Sequence, residues 1–352
     1  MDKLGIGVLS FAHGHITTYA TQIAAFPDAR LLAAWDDDEE RGRQTAGRFG
    51  MDYSADLETV LARPDVDCFM IGCETNRHAD VAVAALEAGK AVLLQKPMAL
   101  TLADCDRIIA AADRSGRWFS LAFQMRHDPM NQKMRELVRE GALGKVGTIR
   151  RRHCIPVLFN RDFVEGKTHW HVTAEANKGM FFDDATHALD WLAWMLDEMP
   201  VSVIAEIDNV LTDVAPDDTG VAIYRYAGGL FAEVYNSSVT LAGENTTEIY
   251  GDRGVLIQNH GDAVSTSLRS PSAIGLKLYQ KDKADLGWQD LRLPIPAGQG
   301  DRIAGVARPF IDGLRAGTPL CTAREGRRSV EMCLAAYRAA ETGRRVRFPF
   351  EE

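Results

Sequence analysis

The sequence predicts a two-domain chain: an α/β domain with a doubly wound parallel sheet, then an α+β domain built on a large, mostly antiparallel open sheet. Three observations lead there. At 352 residues the chain exceeds one ordinary core. From Leu4 to about Phe123, short apolar runs alternate with helical patterns, as parallel strands joined by crossover helices do. After Pro129, strand-like runs follow one another without helices between them. The expected division is 1–125 and 126–352.

The first-domain strands are Leu4–Ser10, Leu31–Trp35, Asp67–Gly72, Ala91–Leu94 and Trp118–Phe123, each short, apolar and bounded by polar residues or glycine. Helices fill the gaps. Asp80–Gly89 places Val81, Ala84, Ala85 and Ala88 at helical spacing and ends on a glycine stop, and Ala103–Ala112 repeats the pattern. In the second domain an amphipathic helix at Met130–Glu140 precedes strands at Val146–Cys154, Val201–Ile207, Val221–Tyr226, Leu230–Val239 and Thr246–Tyr250. Ala227-Gly228-Gly229 reads as a hairpin turn. Helices at about Ile303–Ala316 and Arg324–Thr342 follow.

Composition excludes several classes. With 46% hydrophobic and 25% charged residues the chain is ordinary globular protein. A net charge of -9, with Arg150–Arg152 as the sole short basic run, argues against a nucleic-acid partner and makes that run a strand edge or subunit contact. The cysteines at 68, 73, 105, 154, 321 and 333 form no C-x-x-C pair, so neither a zinc ribbon nor a disulfide framework is expected, and a cytoplasmic location fits. Met1-Asp2-Lys3 leads straight into an apolar strand, without a signal-peptide pattern, and no apolar run reaches membrane-spanning length.

Behind the first strand stands Ser10-Phe11-Ala12-His13-Gly14-His15. In a dinucleotide fold this turn brings backbone N–H groups at a helix N-terminus to the pyrophosphate. Ser10 and Ala12 keep small side chains at the first two fingerprint positions, His15 takes the third, and Gly14 is the lone glycine. Asp36 lies at the end of the second strand, where a carboxylate accepts hydrogen bonds from ribose hydroxyls. With Asp37 beside it, the charge disfavours a 2′-phosphate, so NAD is expected over NADP. The competing reading makes Asp36 to Glu40 a helix cap.

Further segments resemble the glucose-fructose oxidoreductase and inositol dehydrogenase (Gfo/Idh/MocA) family over nearly the whole chain. Glu74-Thr75-Asn76-Arg77-His78-Ala79 through Lys90 resembles its fourth-strand loop and following helix on the nicotinamide side. Gln95-Lys96-Pro97 resembles its Glu-Lys-Pro, with an amide in place of the carboxylate. Phe123-Gln124-Met125-Arg126-His127-Asp128-Pro129 resembles its interdomain link, and Gly179 to Asp190 its segment with Asp and His four residues apart, here Asp183 and His187. The resemblance implies a Rossmann domain and an NAD-dependent dehydrogenase of a sugar, inositol, polyol or sugar acid. It places Cys73, Thr75, Asn76, His78, Gln95, Lys96, Pro97 and Gln124 with the cofactor, and Lys96, Arg126, Trp170, His171, Asp183 and His187 with the substrate.

Asp183 and His187, one helical turn apart, share a face. Oxidising an alcohol requires a base; an unperturbed histidine ionises near neutrality, so His187 is assigned that task, Lys96 polarises the substrate oxygen, and Asp183 orients substrate or imidazole. Arg126 has a competing reading as an ion pair, Trp170 as core, and Tyr235 is left as packing. Relatives that use NAD to assist glycoside cleavage, or bind it as regulators, are the alternatives. A metallohydrolase reading rests on His13/His15 and His169/His171, but no H-E-x-x-H occurs and no metal is expected. The open sheet face predicts a homodimer or homotetramer.

Overall fold

The computed structural model describes residues 2–241, 246–258, 274–296 and 299–352. They form two compact units. The first comprises residues 1–124, 175–177 and 303–330; the second comprises 125–174, 178–302 and 331–352.

In the first unit β1 (Leu4–Leu9), α1 (His15–Ala24), β2 (Ala29–Trp35), α2 (Glu39–Arg48), β3 (Asp52–Tyr53), α3 (Leu57–Leu61), β4 (Cys68–Ile71), α4 (His78–Glu87), β5 (Ala91–Leu94), α5 (Leu102–Ser115) and β6 (Phe119–Leu121) alternate. The strands form one parallel sheet in the order β3-β2-β1-β4-β5-β6. Every residue of β4, β5 and β6 is buried, which is why they read as unbroken apolar runs. Helix starts follow local chemistry: Asp38, Asp56 and Thr101 each accept a backbone N–H at the first turn of α2, α3 and α5. Gly116, at φ 61°, stops α5 in the left-handed conformation.

A later part of the sequence completes this unit. Ile303, Val306, Phe310 and Ile311 share one core with Ile6 and Val8 of β1 and with Ile16, Tyr19 and Ile23 of α1. Trp118 packs on Phe310 with ring centroids 5.9 Å apart, and Arg308 holds Asp28 through two hydrogen bonds. The single boundary expected at 125/126 has no place for this return.

The second unit holds α6 (Pro129–Arg139), β7 (Val146–Cys154), α7 (Arg161–Glu165), most of α8 (Ala174–Asn177) lying outside it, then α9 (Met180–Leu196) and strands β8 (Ser202–Asp208), β9 (Thr219–Arg225), β10 (Phe231–Ser237), β11 (Thr246–Gly251), β12 (Gly254–Gln258), β13 (Leu276–Gln280) and β14 (Gln289–Asp290). Helices α10 (Gln299–Ala304), α11 (Ala307–Ala316) and α12 (Ala323–Thr342) and strand β15 (Val346–Arg347) follow, with α11 in the first unit. The sheet order is β14-β13-β12-β11-β7-β10-β9-β8-β15, and β7 with β10 is its parallel pair. Where one helix was expected from Ile303, α10 ends at Ala304 and α11 starts at Ala307.

Alternation assigns the two faces of this sheet. Ile149, Arg151 and His153 of β7 and Ala232, Val234 and Asn236 of β10 turn inward, where α9 packs against both strands. Arg150, Arg152, Glu233 and Tyr235 turn to the other face, with Arg150 paired to Glu233 and Glu248 and Arg152 stacked over Tyr235. The basic run is therefore split, its central arginine lying inside against Trp191. Tyr235 stands on the face opposite His153.

Candidate active site

The turn behind β1 is glycine-like without the glycine. Ser10 adopts φ 69°, the left-handed conformation that costs a residue with a side chain about 1–2 kcal/mol. Its hydroxyl offsets part of that by accepting Ala12 N–H at 3.2 Å and bonding Asp36 at 3.3 Å. Gly14 then opens α1, and the ring of His13 packs edge-on to that of His15 and accepts the His15 N–H at 3.3 Å. Across the turn, a Cβ on Gly72 would stand 2.2 Å from Ile16, so this glycine permits the close seating of α1 that the fingerprint glycines usually allow. Gly72 went unnoticed because it terminates a different strand.

Asp36 follows β2 directly, and its carboxylate is already engaged. It accepts Phe11 N–H at 2.8 Å, Asp38 N–H at 3.1 Å, and Arg41 through Nε and Nη2, the latter at 2.6 Å. Burial pushes its pKa up, yet the Arg41 and backbone hydrogen bonds outweigh it and hold the carboxyl below its ordinary value. Arg41 also reaches Asp37 at 3.0 Å and Glu74 at 3.7 Å, and Arg77 pairs with Asp37. Asp37 is thus part of an ion network.

At the carboxyl ends of β5 and β6 stand Gln95 and Gln124, 1% and 0% exposed. None of the four amide nitrogen and oxygen atoms makes a well-formed hydrogen bond, although the buried Tyr19 hydroxyl lies close enough to Gln95 to interact with it. Buried amides are expected to be paired, so both await a partner. Lys96 follows, 3% exposed, with a cis bond to Pro97. Its burial departs from the surface lysine that its sequence position alone would suggest.

Three other candidates, His78, Thr75 and Cys73, are buried within the first unit. Both ring nitrogens of His78 lie within hydrogen-bond distance of backbone carbonyls, Pro97 O at 2.7 Å and Cys73 O at 3.2 Å, and the neutral ring donates its single N–H to one of them. Burial lowers its pKa to about 4 despite those acceptors. Thr75 donates to Asn177 at 3.1 Å, and Cys73 is wholly buried, whereas Asn76 is exposed.

In the second unit, α9 carries the expected pair. Asp183 and His187 are each 3% exposed. Asp183 meets His171 Nδ1 at 3.1 Å, and Trp170 stacks on His171 with centroids 3.6 Å apart. The ring of His187 lies 5.7 Å from that of His153, whose Nε2 is 3.9 Å from Asp184, and Asp184 accepts the Ser238 hydroxyl at 3.1 Å. His153, Asp184 and Ser238 were missed, although the alternation of Val146–Cys154 already aligns His153 with Ile149 and Arg151.

Arg126 differs most from its expected part. Its guanidinium grips Asp190 in two bonds of 2.9 and 2.7 Å, both side chains nearly or wholly buried. This is the ion-pair reading, within one unit. Within the second unit His169 bonds Val164 O and His171 bonds Asp183, so the nitrogens of that pair do not face a common point. Among the described residues no group of three or more His, Cys, Asp or Glu could hold a metal ion, and no helix is long and apolar enough to cross a membrane.

Sheet order, left-handed Ser10, the helix start behind the Ser10–His15 turn and two buried glutamine amides at the carboxyl edge define a dinucleotide-binding fold whose residues fit NAD. Residues 5–123 match the model of the oxidoreductase family with an NAD-binding Rossmann fold, and residues 131–257 match the GFO/IDH/MocA C-terminal domain. The chain belongs to the GFO/IDH/MocA family and is an NAD-dependent oxidoreductase. It is 27% identical over 256 residues to a myo-inositol 2-dehydrogenase of Thermotoga maritima, covering 71% of this chain and 73% of that protein. It is 25% identical over 308 residues to a 1,5-anhydro-D-fructose reductase of Ensifer adhaerens, covering 86% of each. Among solved structures, a levoglucosan dehydrogenase in complex with NADH and levoglucosan aligns with a TM-score of 0.83 at 21% identity, covering 99% of this chain and 100% of that one.

Proposed function

We propose that the enzyme transfers a hydride between NAD and a secondary hydroxyl of a cyclic polyol or sugar, with His187 as proton acceptor. The observation that carries this reading is the buried pair on α9: Asp183 fixed by His171, and His187 one turn on with its ring beside His153. The substrates named for relatives, an inositol, an anhydro sugar and levoglucosan, are cyclic and rich in hydroxyls, and support that class.

The start of α1 and the turn from Ser10 to His15 would hold the pyrophosphate, Asp36 with its partner Arg41 would lie beside the ribose, and Gln95 and Gln124 would face the nicotinamide carboxamide. NAD, when bound, supplies the two-electron acceptor. Lys96 donates a hydrogen bond to the reacting oxygen and stabilises the charge it gains as its proton leaves. His187 would take that proton as the hydrogen on the same carbon leaves with its electron pair for the bound acceptor, so that the alcohol is oxidised by two electrons to a carbonyl. Asp183, an acceptor held by His171, orients a neighbouring hydroxyl.

The test is growth of NADH absorbance when the protein and NAD meet myo-inositol, 1,5-anhydro-D-glucitol and levoglucosan in turn. His187→Gln and Lys96→Met should each lower kcat by about 10²–10⁴-fold. Cleavage of a glycoside without net NADH, or NADH binding with no turnover of any hydroxyl compound, would replace this reading. We also propose that the outward sheet face, with Ile204 39%, Phe231 41% and Tyr250 37% exposed, is covered by a second copy. A monomeric mass by light scattering would refute that.

A further inference from the structure

The start of α9 is held by groups that the chemistry above does not use. Asp217, in the loop between β8 and β9, accepts the Phe181 N–H at 2.7 Å and the Tyr337 hydroxyl at 2.6 Å. The same hydroxyl accepts the Phe182 N–H at 3.1 Å from its place on α12. A helix N-terminus leaves its first N–H groups without intrahelical partners, and the residue before α9, Gly179, has no side chain to cap them. Two residues far apart in sequence supply the acceptors instead.

Gly179 is what admits them. A Cβ there would lie 1.9 Å from Asp217 Oδ2 and 2.7 Å from the Tyr337 hydroxyl oxygen, so any larger residue drives both acceptors off the helix end. The requirement is for space, because the backbone at 179 is extended. The Tyr337 ring also packs edge-on to Phe181 and beside Phe182, at 6.0 and 6.4 Å. Asp183 bonds back to Gly179 O at 3.0 Å, so the first turn that these groups hold ends on Asp183, and His187 lies one turn beyond.

We propose that Asp217 and Tyr337, admitted by Gly179, are positioning residues that fix the height and rotation of the first turn of α9 and so aim Asp183 and His187 at the reacting hydroxyl. The proposal rests on the reading of that pair given above. Reacting groups displaced by about 1 Å can lose on the order of 10²-fold in rate, so a slackened turn has a large effect without touching substrate.

The experiment is Tyr337→Phe, which keeps the ring and removes both hydroxyl bonds. Hydrogen exchange at the amides of Phe181 to Asp183 should quicken by about tenfold, the equivalent of one hydrogen bond. With the alcohol from the panel that turns over fastest, kcat should fall roughly 10- to 100-fold while NADH affinity, measured by nicotinamide fluorescence, stays within twofold. Asp217→Ala should repeat the loss, and Asp217→Asn, which keeps an acceptor for Phe181, should restore most of it. Exchange unchanged in that turn, or faster exchange with kcat at the wild-type level, overturns the proposal. If wild type turns over no alcohol, the functional reading fails by itself. Exchange and the crystallographic positions of Asp183 and His187 in Tyr337→Phe then still decide the lock: no change in either refutes it.

Discussion

Replacing Arg126 with methionine separates a structural ion pair from a substrate contact. The Arg126 and Asp190 side chains are 5% and 0% exposed, and the two bonds between them are short. Methionine keeps most of the stem but leaves Asp190 charged and buried without its counter-ion, a change that typically destabilises by about 3–5 kcal/mol. In urea, with an m-value on the order of 3 kcal/mol/M, the unfolding midpoint should fall by roughly 1–1.5 M. The double variant Arg126→Met with Asp190→Leu removes both charges and should recover most of that loss, since apolar replacement of a buried pair is often neutral or better. The refuting result is a wild-type midpoint for Arg126→Met together with a KM for the alcohol raised tenfold or more. The guanidinium would then belong to the substrate and Asp190 would have to be neutralised by other groups.

Two further outcomes follow from the ionisation of buried groups. Asp36→Ser leaves Arg41 without its main partner, so NADPH binding should strengthen by about 10- to 100-fold, one charge-assisted bond to the 2′-phosphate, while NADH weakens; fluorescence titration with both nucleotides checks it. Burial holds His78 and His127 at pKa about 4, below the ordinary 6.5, so the folded chain binds fewer protons than the unfolded one in that window. Their contribution is complete above pH 6.5 and is lost as pH falls toward 4, up to about 3 kcal/mol each. Asp217 runs the other way, its carboxyl pushed by burial from 3.8 to about 6, so its share of stability declines as pH rises through that interval. Melting curves of His78→Gln should therefore be flatter than wild type between pH 4 and 6.5, and an unchanged slope would contradict the assignment.

The parallel sheet was legible because strands buried on both faces leave continuous apolar runs, whereas β3, β14 and β15, two residues each, are too short to carry a period. The polar residues of helix α9 were hard to read for a physical reason. The helix is buried nearly all round, so Asp183, Asp184, His187 and Asp190 interrupt its pattern rather than mark an outer face. Those carboxylates are tolerated because His171, Ser238 and Arg126 meet three of them, and none of those partners is a sequence neighbour of the residue it meets. The same limit applies to Asp36: its position could be read from spacing, but the grip of Arg41 depends on how the first turn of α2 folds back. Resemblance named Lys96, Asp183 and His187 as candidates, but it could not say that His78 sits between two backbone carbonyls or that Arg126 pairs with Asp190.

Residues 303–330 reach the ribosome exit long after the first sheet has been made, yet Ile303, Val306, Phe310 and Ile311 belong to that sheet's core. Until they arrive, the nascent N-terminal unit presents the apolar surface of α1 and β1 that they will cover, a surface prone to association. Folding of this unit must therefore wait for residues 303–330 to emerge or be shielded until then. A fragment cut at residue 124 would inherit the same exposure permanently, so the nucleotide-binding half of this enzyme should resist transplantation by a single cut.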